Sequence, residues 1–286
     1  MESRLRLMCV LAHPDDESFG TGSTLAKYRS EGVETFLVTA TRGEHGWRGP
    51  DEENPGKQAL GRIRTAELEG AAAVLGLCEV NFLDYIDGDL DQADPAEIIG
   101  KIVTHIRRVK PHVVVTFGPD GVNGDPDHIA ISQFTTAAVM CAANSSFCDP
   151  HSLSAHQVAK LYYLSTGCDL LVTFKSAFGE ACMPVDGVDR KGVMWEDWAH
   201  SAVIDGGNLW RATLKAIHCH KSQLAAYGDL DRLSEEVHHR LWAKRTYYRA
   251  YSLVNSGRKL ETDLFEGLRS PAQTYFEKFA AVEECV

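Results

Sequence analysis

Residues 7–17 read LMCVLAHPDDE and carry the most informative pattern in the chain. The apolar run at 7–11 has the pattern of a buried strand, and it ends abruptly at a histidine, a proline and three consecutive carboxylates. Open α/β sheets place their ligands at the carboxyl ends of strands, just before a helix. A turn with a helix cap is the simpler interpretation, but a cap needs one carboxylate and explains neither His13 nor three acids in a row. The stretch therefore predicts an α/β sheet with a ligand site after its first strand.

A second stretch, GPDGVNGDPDH at 118–128, follows another apolar run at 113–117. In a parallel sheet the ends of these two strands can be neighbours. Together His13, Asp16 and His128 offer two imidazoles and one carboxylate, a ligand set that suits zinc and leaves a position open for water. Another divalent metal in place of zinc stays open. For His128 alone, a histidine at a helix start without a ligand role also stays open.

With these motifs the chain resembles the PIG-L, or LmbE-like, family of zinc-dependent N-deacetylases. The resemblance spans about residues 5–225 and rests on AHPDDE at 12–17 and PDH at 126–128, with further matches in RTAE at 64–67, DYIDG at 84–88 and HKSQ at 220–223. It implies that the metal ligands fall on His13, Asp16 and His128. The resemblance also implies that Asp15 is the general base, which takes a proton from water and afterwards protonates the departing amine. We expect Glu17 to orient the site or to supply charge at a helix N-terminus.

The family includes enzymes that remove acetyl from N-acetylglucosaminyl lipids and from sugar precursors of bacterial thiols. The resemblance thus implies an N-deacetylase acting on a small, N-acylated amino-sugar-like substrate, with contacts at Arg64, Asp87 and His220. A guanidinium fork suits sugar hydroxyls or phosphate. Simpler interpretations stay open. Arg64 could form a surface pair with Glu67, and Asp87 could be a turn residue. His220 could be a helix histidine that is exposed or hydrogen-bonded within the protein.

The chain departs from the family at one place. Family members often carry Tyr-Gly-His before Pro-Asp-His, where the tyrosine and the histidine assist the carbonyl and the leaving amine. Here Asn123, Gly124 and Asp125 occupy these positions. Asn123 could still donate a hydrogen bond to a developing oxyanion, and Asp125 could supply a proton only in its neutral form. A catalytically altered or inactive family member that binds a small molecule therefore stays open as the alternative function.

The composition of the 286-residue chain argues against several other functions. Its formal net charge of −11 disfavours nucleic acid or an anionic membrane as the main partner. The carboxylate-rich loop after the first strand would repel the phosphates of a nucleotide. Eight cysteines without a Cys-x-x-Cys pair predict reduced thiols. No apolar stretch is long enough to span a membrane, and the N-terminal run predicts a strand rather than a signal peptide. We expect a cytoplasmic protein and leave an assembly of identical chains open.

Strands and helices alternate along the first half of the chain. The pattern predicts strands at 5–11, 34–40, 80–83 and 113–117, helices at 20–31, 59–75, from Pro95 onwards and at 129–142, and a long loop at 42–58. Long loops in compact domains tend to be functional. This alternation predicts a Rossmann-like, mostly parallel sheet flanked by helices.

After residue 150 the pattern is weaker. It predicts strands at 161–164 and 170–174, a Gly- and acid-rich stretch at 176–200, and helices at 207–227 and 232–249. No linker or repeat separates these elements from the first half. We therefore expect one domain over 1–286, with a core at about 1–150 and a C-terminal α+β elaboration at about 151–286.

Overall fold

Five parallel strands form the first part of a central sheet. The computed structural model describes residues 4–180, 182–185, 187–255, 257 and 259–269. The five strands are β1 (Arg6–Leu11), β2 (Glu34–Thr41), β3 (Glu79–Tyr85), β4 (Val113–Phe117) and β5 (Lys160–Ser165). They lie in the order β3-β2-β1-β4-β5, and every neighbouring pair is parallel. The predicted parallel α/β sheet is therefore confirmed, including the strand expected at 161–164.

The strand order reverses at β1. Strands β2 and β3 follow on one side of it, whereas β4 and β5 lie on the other side. Cys9 of β1 accordingly pairs with Leu37 of β2 and with Val115 of β4. The carboxyl ends of β1 and β4 are neighbours at this reversal, which is where open α/β sheets bind ligands. The two acidic, His-bearing stretches follow these two strand ends directly.

Five helices belong to the first half of the chain: α1 (Asp16–Ser30), α2 (Lys57–Leu75), α3 (Pro95–Val109), the single turn α4 (Gly121–Gly124) and α5 (Pro126–Ala143). Helix α1 begins at Asp16 rather than at the predicted residue 20, because Asp16 and Glu17 place negative charge in its first turn. Helix α5 begins at Pro126 rather than 129, because Asp125 caps it and proline suits the first helical position.

The sheet is buried between helices. Residues 7–11 of β1 have no exposed surface, as expected for a central parallel strand covered on both faces. Helix α3 contributes Ile98, Ile102 and Ile106, which recur at i and i+4 and are also fully buried. Asp94 starts this helix by accepting hydrogen bonds from the backbone amides of Ala96 and Glu97. These three isoleucines thus form the face of α3 that packs in the core.

In the C-terminal part, the described residues add a hairpin, three helices and two further strands. The hairpin consists of β6 (Cys182–Val185) and β7 (Val188–Lys191), and the helices are α6 (Cys168–Phe178), α7 (Trp210–Ile217) and α8 (Glu235–Trp242). Strands β8 (Ala202–Asp205) and β9 (Lys244–Ser252) extend the central sheet, with β9 antiparallel to both β5 and β8. The single 3₁₀ turns are Asp51–Glu53, Leu90–Gln92, Asp197–Ala199, Gly207–Leu209, Leu224–Tyr227 and Leu230–Arg232. Within the described ranges, no helix is long and apolar enough to cross a membrane.

Three sequence predictions for this part are wrong. The segment 170–174 lies in helix α6 rather than in a strand, because Leu170, Phe174 and Phe178 pack on one side against a second apolar cluster. A short apolar run does not distinguish these two states. The helix predicted at 207–227 ends at Ile217. The helix predicted at 232–249 ends at Trp242, and its second half is strand β9, where pairing on both edges overrides helical periodicity.

Candidate metal centre and active site

Three potential metal ligands meet at the ends of β1 and β4. Nδ1 of His13 lies 3.2 Å from Nε2 of His128 and 3.7 Å from Oδ2 of Asp16. Oδ1 of Asp16 lies 3.4 Å from Nε2 of His128. The donor atoms of these three residues lie within 4.8 Å of one another, as a shared cation requires. The structure thus brings together the three side chains that the sequence singles out.

Two carboxylates orient the ring of His13. Its Nε2 lies 3.2 Å from Oδ1 of Asp87 and 3.2 Å from Oδ2 of Asp127. Asp127 is itself held by the backbone amides of Gly88 and Leu90, at 2.8 and 3.0 Å. Burial lowers the pKa of His13, but the bonds to Asp127 and Asp87 outweigh it and hold this pKa well above its usual value. The Nε2 atom is engaged on this side, so Nδ1 faces the other two ligands.

His128 is fixed in a matching way. Its ring stacks on Phe117 at the end of β4, with centroids 3.8 Å apart and planes 5° apart. Its Nδ1 lies 3.2 Å from the carbonyl oxygen of Gly121, to which it can donate a hydrogen bond. In the neutral ring this bond places the proton on Nδ1 and leaves Nε2, which faces Asp16, free to bind a metal. The ring is therefore set in the tautomer that a metal ligand needs.

The charges around these ligands favour a cation. Oδ2 of Asp16 accepts hydrogen bonds from the backbone amides of His13 at 2.7 Å and of Ala12 at 3.2 Å. Burial raises the pKa of Asp16, but His128 and His13 outweigh burial and lower it overall. Two imidazoles thus face an ionised carboxylate at this point, and imidazole nitrogens with carboxylate oxygens are the usual ligands of zinc. The residues present fit a divalent ion of this kind.

Asp15 stands beside the ligands and is not one of the three. Its Oδ2 lies 3.3 Å from Nη2 of Arg64, which also donates to the carbonyl oxygen of Pro14 at 2.5 Å. The backbone of Asp15 has a φ of 111°, in a region that residues other than glycine rarely adopt. Burial raises the pKa of Asp15 to about 6, although Arg64 opposes this shift. A carboxylate with such a pKa is suited to proton transfer near neutral pH.

The other residues with predicted roles have different surroundings. His220 is fully buried, lines neither of the two cavities at the site, and contacts Oε1 of Glu17 at 2.7 Å. Arg64 and Asp87 line a polar cavity but are already bound to Asp15 and His13, respectively. Because the side chain of His220 is buried against Glu17, it has no exposed surface that a substrate could contact.

Asn123 and Asp125, which replace the tyrosine and histidine of the family pattern, have different surroundings. Asn123 lines both of the cavities that meet at the three potential ligands. Asp125 lines the polar cavity, and its Oδ1 accepts hydrogen bonds from the backbone amides of Asp127 at 2.9 Å and His128 at 3.3 Å. Asp125 is therefore the N-cap of helix α5, which carries one of the ligands.

Two cavities meet at the ligands. The polar cavity has a volume of about 580 Å³ and includes His13, Arg64 and Asp87 in its wall. The second cavity has a volume of about 240 Å³ and is lined mainly by aromatic and aliphatic side chains. The residues shared by both walls are Asp15, Asp16, Asn123, His128 and Tyr227.

Sequence reasoning gave no role to Tyr227 or Asp127. Tyr227 lies in the 3₁₀ turn Leu224–Tyr227 and stacks on Phe19, with centroids 4.4 Å apart. Burial, and then the charge of Asp15, raise the pKa of Tyr227, so its hydroxyl keeps its proton. No local motif signals this residue, because only the packing of the C-terminal part brings it to the site. Asp127 can be identified from the sequence, since it lies inside the Pro-Asp-His motif beside a proposed ligand.

Comparison with known proteins supports the motif-based interpretation. Residues 8–139 match the family described as PIG-L, GlcNAc-PI de-N-acetylase. The 1D-myo-inositol 2-acetamido-2-deoxy-alpha-D-glucopyranoside deacetylase of Kineococcus radiotolerans is 32% identical, over 92% of this chain and 83% of its own length. The enzyme of the same name from Streptomyces avermitilis is 33% identical, over 92% of this chain and 97% of its own length.

Solved structures show the same fold with different chemistry. The N,N'-diacetylchitobiose deacetylase of Pyrococcus horikoshii superimposes with a TM-score of 0.61 and 19% identity, over 85% of this chain and 83% of its own. A 4-carboxy-2-hydroxymuconate hydratase from Pseudomonas putida reaches a TM-score of 0.64 at 15% identity, over 88% of this chain and 99% of its own. The fold alone therefore does not decide the activity. The family match and the relatives above 30% identity do decide the family, and this chain belongs to the PIG-L family of de-N-acetylases.

Proposed function

We propose that this protein is a zinc-dependent hydrolase that removes the acetyl group from the nitrogen of a substrate containing an N-acetylglucosamine unit. The observation that carries the proposal is the cluster of His13, Asp16 and His128, with the unligated carboxylate of Asp15 beside it. The family membership and the deacetylase relatives support the reaction class. The reaction consumes one water molecule and yields acetate and a free amine.

His13, Asp16 and His128 would hold the ion. Zinc in such a site polarises a carbonyl oxygen and makes water easier to deprotonate. Asp15 accepts the proton of the attacking water, and the same carboxyl group later gives it to the departing amine. Arg64 fixes Asp15 by a contact of 3.3 Å. Asn123 and Tyr227 line the same wall and are the candidate donors to the developing oxyanion, in place of the tyrosine found in other family members.

The polar cavity is the proposed site for the sugar. Its wall carries Arg64, Asp87, Arg48, Asp91 and Gln223, whose charged and amide groups suit hydroxyls. Arg64 and Asp87 serve two roles in this proposal, because each also fixes a residue of the reacting centre. His220 does not share in substrate binding and instead supports Glu17. A cytoplasmic location and an assembly of identical chains stay predictions.

The test uses the purified chain and the compound acted on by the named relatives. The metal is removed with a chelator, Zn²⁺ is added back, and free amine and acetate are measured. We expect the two products in equal amounts, only with metal and not with Asp15→Asn. Binding of the compound without either product would instead support the alternative, a family member that acts as a binding protein.

A further inference from the structure

A second, apolar cavity adjoins the reacting centre and shares part of its wall with the proposed sugar site. Six large side chains dominate its wall: Phe19, Phe117, Leu164, Leu171, Phe174 and Trp242. They come from α1, the ends of β4 and β5, and helices α6 and α8. These six side chains thus come from five separate elements, and the ligand residues Asp16 and His128 also line the cavity.

Besides the shared residues Asp15, Asp16 and His128, the wall holds Arg245, whose guanidinium group is already satisfied. Arg245 donates hydrogen bonds to the backbone carbonyl oxygens of Phe19, Gly20, Leu241 and Lys244 at 2.6 to 2.9 Å. The guanidinium group is thus engaged by the protein itself. Outside the residues that both walls share, this cavity offers mainly apolar surface, whereas the polar cavity adds further carboxylates and guanidinium groups.

The two cavities share Asp15, Asp16, Asn123, His128 and Tyr227. An amide that reacts at this shared wall can place one substituent in each cavity. The amine side of the substrate carries the sugar hydroxyls and suits the polar cavity. The acyl side must then enter the apolar cavity. We propose that this cavity is an acyl-chain subsite, and that the enzyme also hydrolyses amides whose acyl group is longer than acetyl. This inference rests on the proposed amidohydrolase function.

The size of the cavity supports this assignment. A methyl group is about as large as a water molecule, which occupies roughly 30 Å³ in the liquid, whereas an apolar cavity of about 150 Å³ binds benzene. The cavity here has about 240 Å³. Acetyl alone would leave most of this volume empty. A linear acyl group of about four to six carbons would fill it and transfer its methylene groups out of water.

The chemistry is the same for every acyl length. Water adds to the carbonyl carbon, the carbon–nitrogen bond breaks, and the products are a carboxylic acid and the free amine. Only the group that occupies the apolar cavity changes. Each fully buried methylene is expected to raise kcat/KM by up to about fourfold, which corresponds to about 0.8 kcal/mol.

The experiment compares acetyl, butyryl and hexanoyl amides of glucosaminyl inositol, with the zinc-loaded full chain and release of the free amine as the readout. We expect kcat/KM to rise from acetyl to butyryl and to stay above acetyl for hexanoyl. Release from the acetyl amide alone would overturn the acyl subsite and leave the proposed function standing. No release from any of the three would overturn the proposed function and, with it, this inference.

A matched pair of variants tests whether the dependence of kcat/KM on acyl length arises in the apolar cavity. Leu171 lines the cavity, whereas its neighbour Val172 is 57% exposed on the outer side of helix α6. Leu171→Trp should lower the hexanoyl-to-acetyl ratio of kcat/KM at least tenfold, because the indole fills the subsite. Val172→Trp should leave the ratio and the melting temperature unchanged. An unchanged ratio in a folded Leu171→Trp variant would overturn the proposal.

Discussion

Nε2 of His220 lies 2.7 Å from Oε1 of Glu17, and neither side chain has any exposed surface. The other carboxylate oxygen of Glu17 accepts a hydrogen bond from the backbone amide of Asp15 at 3.0 Å. Asp15 is the residue with a φ of 111°, a conformation that persists only where neighbouring contacts enforce it. His220 is thus connected through Glu17 to the backbone that positions the proposed general base.

This connection predicts a positioning role for His220. His220→Ala should lower kcat about 10- to 100-fold with little change in KM, because Asp15 loses its orientation while the sugar site is intact. His220→Gln keeps a donor for Glu17 and should recover part of the activity. Steady-state kinetics with zinc-loaded protein checks both variants.

The control for this prediction is His218→Ala, because His218 lies two residues earlier and contacts Asp231 at 3.2 Å. It should behave like the wild type. A higher KM with an unchanged kcat in His220→Ala would contradict the positioning role. That result would restore the substrate contact that the family resemblance implies.

The metal assignment predicts the behaviour of His128→Ala. This variant should bind far less zinc, because only two of the three proposed protein ligands remain, His13 and Asp16. It should stay folded, since His128 lies in the first turn of α5 and outside the central strands. Metal content by mass spectrometry and far-UV circular dichroism check the two halves of this prediction. His151→Ala, at an exposed histidine, is the control. An equal zinc content in the His128 and His151 variants would show that the ligand assignment is wrong.

The adjacent carboxylates predict opposite phenotypes. Asp15 contacts Arg64 and is not one of the three proposed ligands, so Asp15→Asn should keep the metal. It should lose activity about 100-fold or more, since an amide cannot accept the proton of water. Asp16 lies 3.4 Å from Nε2 of His128, so Asp16→Asn should weaken zinc binding instead. Zinc affinity and kcat/KM are measured for both variants. The division of roles fails if the two variants lose zinc to the same extent.

The first half of the fold and the ligand cluster could be read from the sequence for a physical reason. Central parallel strands are continuous apolar runs, so the abrupt change from Leu11 to His13 marks both a strand end and a site. Beyond strand β5, most of the C-terminal part could not be predicted, because its elements depend on long-range pairing. Strand β9 exists only between β5 and β8, and Glu17 meets His220 across 203 residues of sequence. Tyr227 reaches the site through the same packing, which no local pattern encodes.

The position of Asp125 allows a test between a structural and a chemical role. Its Oδ1 accepts hydrogen bonds from the backbone amides of Asp127 and His128, so it caps the helix that carries one ligand and one orienting carboxylate. Asp125→Ala should destabilise the protein by about 0.5 to 2 kcal/mol, the usual loss for a removed N-cap. It should also lower activity moderately, because the start of α5 and the ring of His128 lose a constraint.

Asp125→Asn separates the two roles, because asparagine is an equally good N-cap but cannot donate a carboxylic proton. If capping is the role, Asp125→Asn should restore both the melting temperature and most of kcat, and the loss in Asp125→Ala should be much smaller than that in Asp15→Asn. Thermal unfolding and kcat/KM for all three variants provide the comparison. An Asp125→Asn variant with wild-type stability but with activity as low as that of Asp15→Asn would show that Asp125, and not Asp15, supplies the proton to the departing amine.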